Sequence, residues 1–402
     1  MPDDQPVPGA DTAAGDPTAS FDLTFVDDPS AVPGALRSID AEVVGVDVER
    51  ADAHLYYRRA ALIQIGVRDH CVLLDAVSIE SFPEVDAFFG PDRVAVLHAI
   101  ENDLEPLAGR GVRADRVADT AIAAAVLGLP IGLGTLLEQV LGVELEGDKS
   151  AFQRADWEQR PLGPGMANYA AGDVVHLPGL WQELRARLHD AGREDWYEQE
   201  LTATIDQAAE NRRDWTRVKG AGRLSDRQRA VLRAVWEARE RVAKQENIAP
   251  NRLIHDEVLR DLATSPPATE AQLVRRSQRR RSLLRAHAEP LMAAITTALD
   301  DPPEPRSGDG RRWTDTDRAA YDALRKRRAQ IAKELGIDAG VLCPSRPLWT
   351  AVIGEPQDAD ALCRLANLRP WQAALLAEPL WETYLQARDE GEQAPQDDEP
   401  TD

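Results

Sequence analysis

From Phe21 to about Leu201, short apolar runs alternate with amphipathic stretches, the pattern of a domain that interleaves strands with helices. The runs predict strands over 21–26, 43–49, 61–67, 71–75 and 94–98, and helices over 31–39, 82–89, 101–108, 120–127, 133–141 and 164–188. The middle strands are close in sequence and joined by a tight connection at Asp69 and His70, so they are expected to form an antiparallel meander within a mixed, helix-flanked sheet. Beyond Thr204 the strand signals vanish, and Pro- and Gly-rich joints at 219–223 and 301–310 divide a helical remainder into two segments. These segments resemble each other: Arg239, Ala243, Lys244, Ile248 and Leu253 recur as Arg328, Ala332, Lys333, Ile337 and Leu342, each displaced by 89 residues, the self-similarity of a duplication.

Charge complicates this picture. A formal net charge of -22 argues on its face against a polyanionic partner. Residues 1–36 carry seven acidic and no basic side chains, however, and residues 386–402 carry seven acidic against one arginine, so the ends hold 13 of the 22 excess negatives. The ends are also poor in large apolar residues and are expected to be tails without a fold. Carboxylates gathered around a metal ion would mask more of the charge, so a nucleic-acid substrate is not excluded. No apolar run approaches the roughly 20 residues that span a bilayer, and the acidic start is unlike a secretory leader, which points to the cytoplasm. Cys71, Cys343 and Cys363 are scattered and odd in number, as expected of reduced structural thiols rather than a disulfide framework or zinc site.

Three features carry chemistry. In VVGVDVER, Asp47 and Glu49 stand two apart at the end of a strand, so both carboxylates leave the sheet on one face and together suit a hard cation. In LHAIENDLEPL, a strand ending at His98 is followed by a helix carrying Asp103. In NYAAGDVVHL, Tyr169 and Asp173 are spaced to project from one face of a helix. Taken singly, each is more often a solvated strand end, a first-turn helix acid or a packing residue. Their joint order and spacing is what singles them out.

That joint pattern resembles the DEDD superfamily of 3′→5′ exonucleases in its tyrosine-bearing branch, and most closely the RNase D family. LIQIG at 62–66, LHAIENDLE at 97–105 and DKSAFQRADWEQRPL at 148–162 resemble the same family. The segment from about Ser225 to Ala294 resembles the helicase-and-RNase-D C-terminal (HRDC) domain, and residues 313–388 look like a second, more diverged copy. The resemblance implies an RNase H-like α/β exonuclease fold over 21–204, an HRDC domain over 223–300, a second HRDC-like domain over 313–388, and acidic tails at 1–20 and 389–402. Two departures stand out: Val48 where the family has threonine, facing away from the acids, and Arg50 where an aromatic is common, which is expected to alter how the terminal base is held.

The resemblance further implies two divalent ions, Mg²⁺ or Mn²⁺, with Asp47 shared between them, Glu49 and Asp173 at the water-activating ion, and Asp103 at the other. Tyr169 would orient the attacking water, while His98 and Lys149 would contact the terminal nucleotide or its phosphate. The expected substrate is RNA with a free 3′ end, transfer RNA precursors foremost, in transfer RNA 3′ maturation or RNA turnover, acted on by a monomer with no small-molecule cofactor. The arginine-rich VRRSQRRRSLLR at 274–285 is the expected contact to the RNA body. Two other readings fit the acids: a DNA-directed 3′→5′ exonuclease, and a non-catalytic RNA-binding scaffold that has kept the fold.

Overall fold

The protein was analysed as a computed structural model, which describes residues 21–50, 54–57, 59–145, 152, 155–210, 214–276, 281–301 and 313–393. The chain divides into two compact units, one of residues 1–51, 59–120 and 133–183, the other of 52–58, 121–132 and 184–402. Among the described residues no helix is long and apolar enough to cross a membrane.

The first unit is built on a six-stranded mixed sheet in the order β1-β4-β3-β2-β5-β6, with β1 Asp22–Val26, β2 Val43–Arg50, β3 Ala60–Val67, β4 His70–Asp75, β5 Val94–Leu97 and β6 Arg116–Asp119. β2, β3 and β4 form the expected antiparallel meander, and β1, β5 and β6 join in parallel. β3 reads AALIQIGV because it is central and covered on both faces; every residue before Val67 is buried. The turn falls on Arg68 and Asp69, one residue earlier than expected, with Arg68 in the left-handed region at φ 55° and His70 already in the ladder. The meander closes with a register shift between Glu49 and Arg50, the kind of bulge that re-aims side chains at a strand end.

The helices of this unit are α1 Val32–Arg37, α2 Pro83–Phe89, α3 Leu104–Ala108, the start of α4 Thr120–Leu127, α5 Leu133–Leu141, α6 Met166–Val175 and the first half of α7 Leu177–Asp190. Two expected helices are broken. The 101–108 helix is a 3-10 turn, Ile100–Asn102, then α3, with Asp103 at the joint. The 164–188 helix is α6 and α7, divided at His176, because Pro178 has no N–H to give and its ring crowds the carbonyl of Val174.

That carbonyl has a use in the packing. α6 lies so close on β2 and β3 that a Cβ on Gly45 would sit 2.0 Å from the Val174 oxygen, and one on the paired Gly66 would sit 2.6 Å from Val174 Cγ2. Two facing glycines thus set the height at which α6 carries Asp173 above β2. Gly45→Ala is expected to destabilise the protein by about 1–3 kcal/mol or more, since backbone rather than a yielding side chain is in the way. A thermal melt checks this, and an unchanged midpoint would refute the close-approach argument.

The second unit holds α8 Glu194–Glu210, α9 Asp226–Gln245, α10 Pro250–Leu253, α11 Asp256–Thr264, α12 Glu270–Arg276, α13 Arg281–Ala286, α14 Ala288–Asp300, α15 Asp315–Leu335, α16 Ala339–Leu342, α17 Ser345–Ile353, α18 Ala359–Leu365 and α19 Pro370–Gln393. The offset of 89 seen in sequence runs through the geometry. Adding 89 to the bounds of α10, α11 and α12 gives those of α16, α17 and α18. A capping box made by Ser225 and Gln228 before α9 recurs as Thr314 and Asp317 before α15. Buried Arg239 donates to the carbonyl of Ile254, and buried Arg328 donates to that of Cys343, 89 residues on in both donor and acceptor. Each copy has its own apolar core, one around Val231, Val235 and Leu259, the other around Leu324, Leu348 and Leu380.

Two expected boundaries move. The joint at 219–223 is no linker: Val218 and Ala221 are buried in the first copy's core, held there by short 3-10 turns. Helix α19 runs on to Gln393, past the expected end at 388, with Gln386 donating to Glu390 one turn on. The three cysteines are buried and unpaired, and burial pushes the Cys343 thiol up to about 11. Residues 1–20 lie outside the described residues.

Candidate active site

β2 ends by presenting Asp47 and Glu49 on the face that Gly45 shares with α6, and α6 lowers Asp173 onto them. Among the described residues, Asp47, Glu49 and Asp173 form a group whose ligand oxygens lie within 4.8 Å of one another. Like charges this close oppose one another's ionisation. Burial raises Asp47 above the usual carboxylate range, opposed by the Val48 N–H and by Arg50. Glu49 is pushed up to about 9, first by burial and then by the charges of Asp47 and Asp173. Such a set is unfavourable without a cation and favourable around one, and all its donors are hard oxygens.

Asp103 is not one of those three. It is 4% exposed at the start of α3, raised well above its ordinary value by burial and then by the charge of Asp47. It reaches this position because Ala99 takes a left-handed turn at φ 64° and the Ile100 N–H is caught by Asp119 Oδ2 at 2.7 Å. The charge of Arg50 lowers Asp47, Glu49 and Asp103, so the residue expected to alter how the terminal base is held acts on the carboxylates as a shared counter-charge.

Tyr169 stands one turn before Asp173 and hydrogen-bonds to it. Burial, then the charges of Asp173 and Glu49, raise its pKa beyond the ordinary phenol value, so the hydroxyl keeps its proton. Its ring is walled by Phe152 at 5.3 Å and Trp157 at 6.1 Å between centroids. His98 leaves the end of β5 and lies 2.8 Å from Thr120 Oγ1, which itself donates to the Leu97 carbonyl. The lone hydroxyl proton is thereby used, and His98 Nδ1 is the donor in its contact with Thr120. Lys149 lies outside the described residues.

Several supporting residues escaped the sequence reading. Arg160 donates to the carbonyls of Trp157, Gln159 and Ala61 and to buried Asp75, tying the 157–160 segment, and so the Trp157 wall, to the sheet. Burial raises Asp75, but hydrogen bonds from Arg160, Ser78 and the Val77 N–H outweigh it and hold it below its usual value. Gln64 is fully buried beside Asp47 in the ladder, on the same face. Thr120 and Asp119 sit at the end of β6, a strand that no apolar run announced; only the hydrogen-bonding partners of His98 and Ile100 reveal their part.

The raised Glu49 has a consequence for metal affinity. Below about pH 9 the metal-free site holds a proton there, which a divalent ion must displace, so affinity is expected to climb as pH rises toward 9 and then level off. The metal-free protein is correspondingly expected to lose stability as pH climbs from the ordinary glutamate range through about 9, since its folded pKa is the higher one. Calorimetric titration with Mn²⁺ in buffers of different ionisation enthalpy reads the released proton; release of none at pH 7 would contradict this.

Comparison with known proteins places this geometry. Residues 24–189 match the family model described as 3′-5′ exonuclease, and 228–295 match the HRDC domain. Ribonuclease D of Granulibacter bethesdensis is 31% identical over 305 residues, covering 71% of this chain and 74% of that protein. The chain belongs to the ribonuclease D family. As a member it is a 3′→5′ exoribonuclease, a phosphodiester hydrolase. Ribonuclease D of Sphingobium indicum is 34% identical, the match spanning 62% of that protein, and that of Xanthomonas oryzae pv. oryzae is 28% identical across 87% of this chain and 93% of its own. The fold is similar to the crystal structure of Escherichia coli RNase D, with TM-score 0.72, 24% identity, and 91% of this chain and 99% of that one covered.

Proposed function

We propose that this ribonuclease D family member shortens RNA one nucleotide at a time from a free 3′ hydroxyl, in the cytoplasm and as a monomer, with 3′-extended transfer RNA precursors as its main substrate. The observation that carries the reading is the approach of Asp47, Glu49 and Asp173 within 4.8 Å beside a protonated tyrosine.

Asp47, Glu49 and Asp173 would hold one divalent ion, Mg²⁺ or Mn²⁺, and Asp47 would share a second with Asp103; bound there, the ions supply a nucleophilic water at neutral pH and neutralise the charge that gathers on the leaving 3′ oxygen. The chain's own residues do the rest. Tyr169, fixed by Asp173 and its aromatic wall, orients the attacking water rather than deprotonating it. Water adds across the bond between phosphorus and the 3′ oxygen, giving a nucleoside 5′-monophosphate and an RNA with a new 3′ hydroxyl. His98, held in one orientation by Thr120, lies at the end of β5 where a terminal nucleotide would be received, and we assign it and Lys149 to that nucleotide. The two helical copies, of which 313–388 is the second HRDC-like one, hold the RNA body. Arg275 and Arg276, which end α12, belong to the expected arginine contact, while Arg279 and Arg280 lie outside the described residues.

The test uses a 3′-extended transfer RNA, the same RNA ending in a 3′ phosphate, and a single-stranded DNA of matching sequence, with Mg²⁺, Mn²⁺ or chelator. Release of nucleoside 5′-monophosphates from the free RNA end, only with metal, is the expected result. Internal cleavage, or DNA consumed as fast as RNA, would overturn the substrate assignment.

A further inference from the structure

We infer that the second helical copy carries a stacking site for single-stranded RNA, built by Trp349, Trp313 and Tyr321 and flanked by Arg346, Arg318 and Arg325; the inference rests on the RNA reading above. Trp313 and Trp349 are stacked, ring centroids 5.8 Å apart at 25°, and Tyr321 meets Trp313 edge-on at 5.5 Å. Trp349 is 41% exposed. It projects from α17 off the side that Leu348, Ala351 and Val352 bury, so the core does not need it.

The duplication supplies a control within the same chain. Subtracting 89 from these three positions gives Leu224, Leu232 and Arg260, two buried leucines and an arginine. The first copy thus has core leucines where Trp313 and Tyr321 stand, and on α11, whose bounds are those of α17 less 89, an arginine where Trp349 stands, so Trp349 is the ring that the fold does not require.

Charge decides what kind of partner suits them. Arg346 precedes Trp349 by three residues on α17, and Arg318 and Arg325 lie three before and four after Tyr321 on α15, each spacing placing the arginine on the aromatic's side of its helix. The Arg325 guanidinium lies 5.6 Å from the Tyr321 ring centre. Arg318 and Arg325 pair with Asp315 and Asp322, but all four are well exposed, and such ion pairs give way readily to a stronger anion. The exposed Trp349 ring, backed by Trp313 and beside displaceable arginines, matches bases and phosphates alternating along an unpaired strand; an apolar peptide would use the ring and leave the arginines without a role.

The test is binding of a long fluorescent oligouridylate to the full-length chain, made inactive by Asp47→Asn so that RNA is not consumed, over a series of salt concentrations. Trp349→Ala is expected to weaken binding about 5- to 100-fold, the cost of one lost stack, with the salt slope unchanged, and Trp349→Phe to retain most of the affinity. Arg346→Ala is expected to flatten the log–log salt slope by about 0.7, the value for one phosphate contact on a single strand. In the otherwise unaltered enzyme, Trp349→Ala should cleave a trinucleotide at the normal rate. If the parent chain binds and cleaves RNA but Trp349→Ala binds the long strand as tightly, the stacking site alone falls. If the parent chain binds no RNA, the site falls with the RNA reading. Concentration-dependent self-association that disappears with Trp349→Ala would overturn it in favour of a contact between copies.

Discussion

Asp173→Asn is expected to reduce nucleotide release to the background of the assay while leaving the fold intact. Asn keeps the size and shape of the side chain, so the packing of α6 over Gly45 and Gly66 is untouched. It removes one oxygen charge from the group that also contains Asp47 and Glu49, and with it a ligand for the ion that activates water. Burial is the first cause of the rise of Glu49 to about 9, and the same change removes part of the repulsion that adds to it, so the metal-free variant should melt at or above the temperature of the parent at pH 8. Asp47→Asn is expected to behave alike. Metal-dependent turnover comparable to that of the parent in either variant would remove these carboxylates from the site, and a lower melting temperature would contradict the repulsion argument.

Tyr169→Phe deletes a single hydroxyl and keeps the ring between Phe152 and Trp157. The chemical step is expected to slow by about 10²-fold, the scale for a reacting group that is no longer held in place, while RNA binding scarcely changes. Because Tyr169 holds its proton well past neutrality, its loss should lower the single-turnover rate without moving the pH at which that rate rises. A rate equal to the parent's would make the tyrosine a packing residue.

Strands were legible where apolar runs were long enough to speak for themselves, as in β3, and the positions of Asp47 and Glu49 followed from the period of two along β2. β6 was not legible: four residues at a sheet edge, with Arg116 and Asp119 at its ends, carry no periodic signal, yet its end supplies Asp119 and Thr120 to the site. Periodicity also ran through the breaks at Asp103 and His176, because amphipathic spacing persists across a short interruption; Pro178 was the readable signal at the second. The facing glycines are plain in sequence, but their pairing depends on strand register and on a helix more than a hundred residues away. In the helical half the recurrence of a few residues at an offset of 89 announced a repeat that reaches into capping boxes and buried arginines, whereas the Gly-rich 219–223 segment misled, since glycine marks a tight 3-10 turn in a core as readily as a linker.

That these carboxylates hold divalent ions for hydrolysis is tested most directly by soaking crystals of the full-length protein with Mn²⁺ and measuring anomalous difference density. Two peaks are expected about 3.5–4 Å apart, both against Asp47, one shared with Glu49 and Asp173 and the other toward Asp103. An absence of density at Asp47 and Asp173, in crystals of protein that degrades RNA with Mn²⁺ in solution, would contradict it.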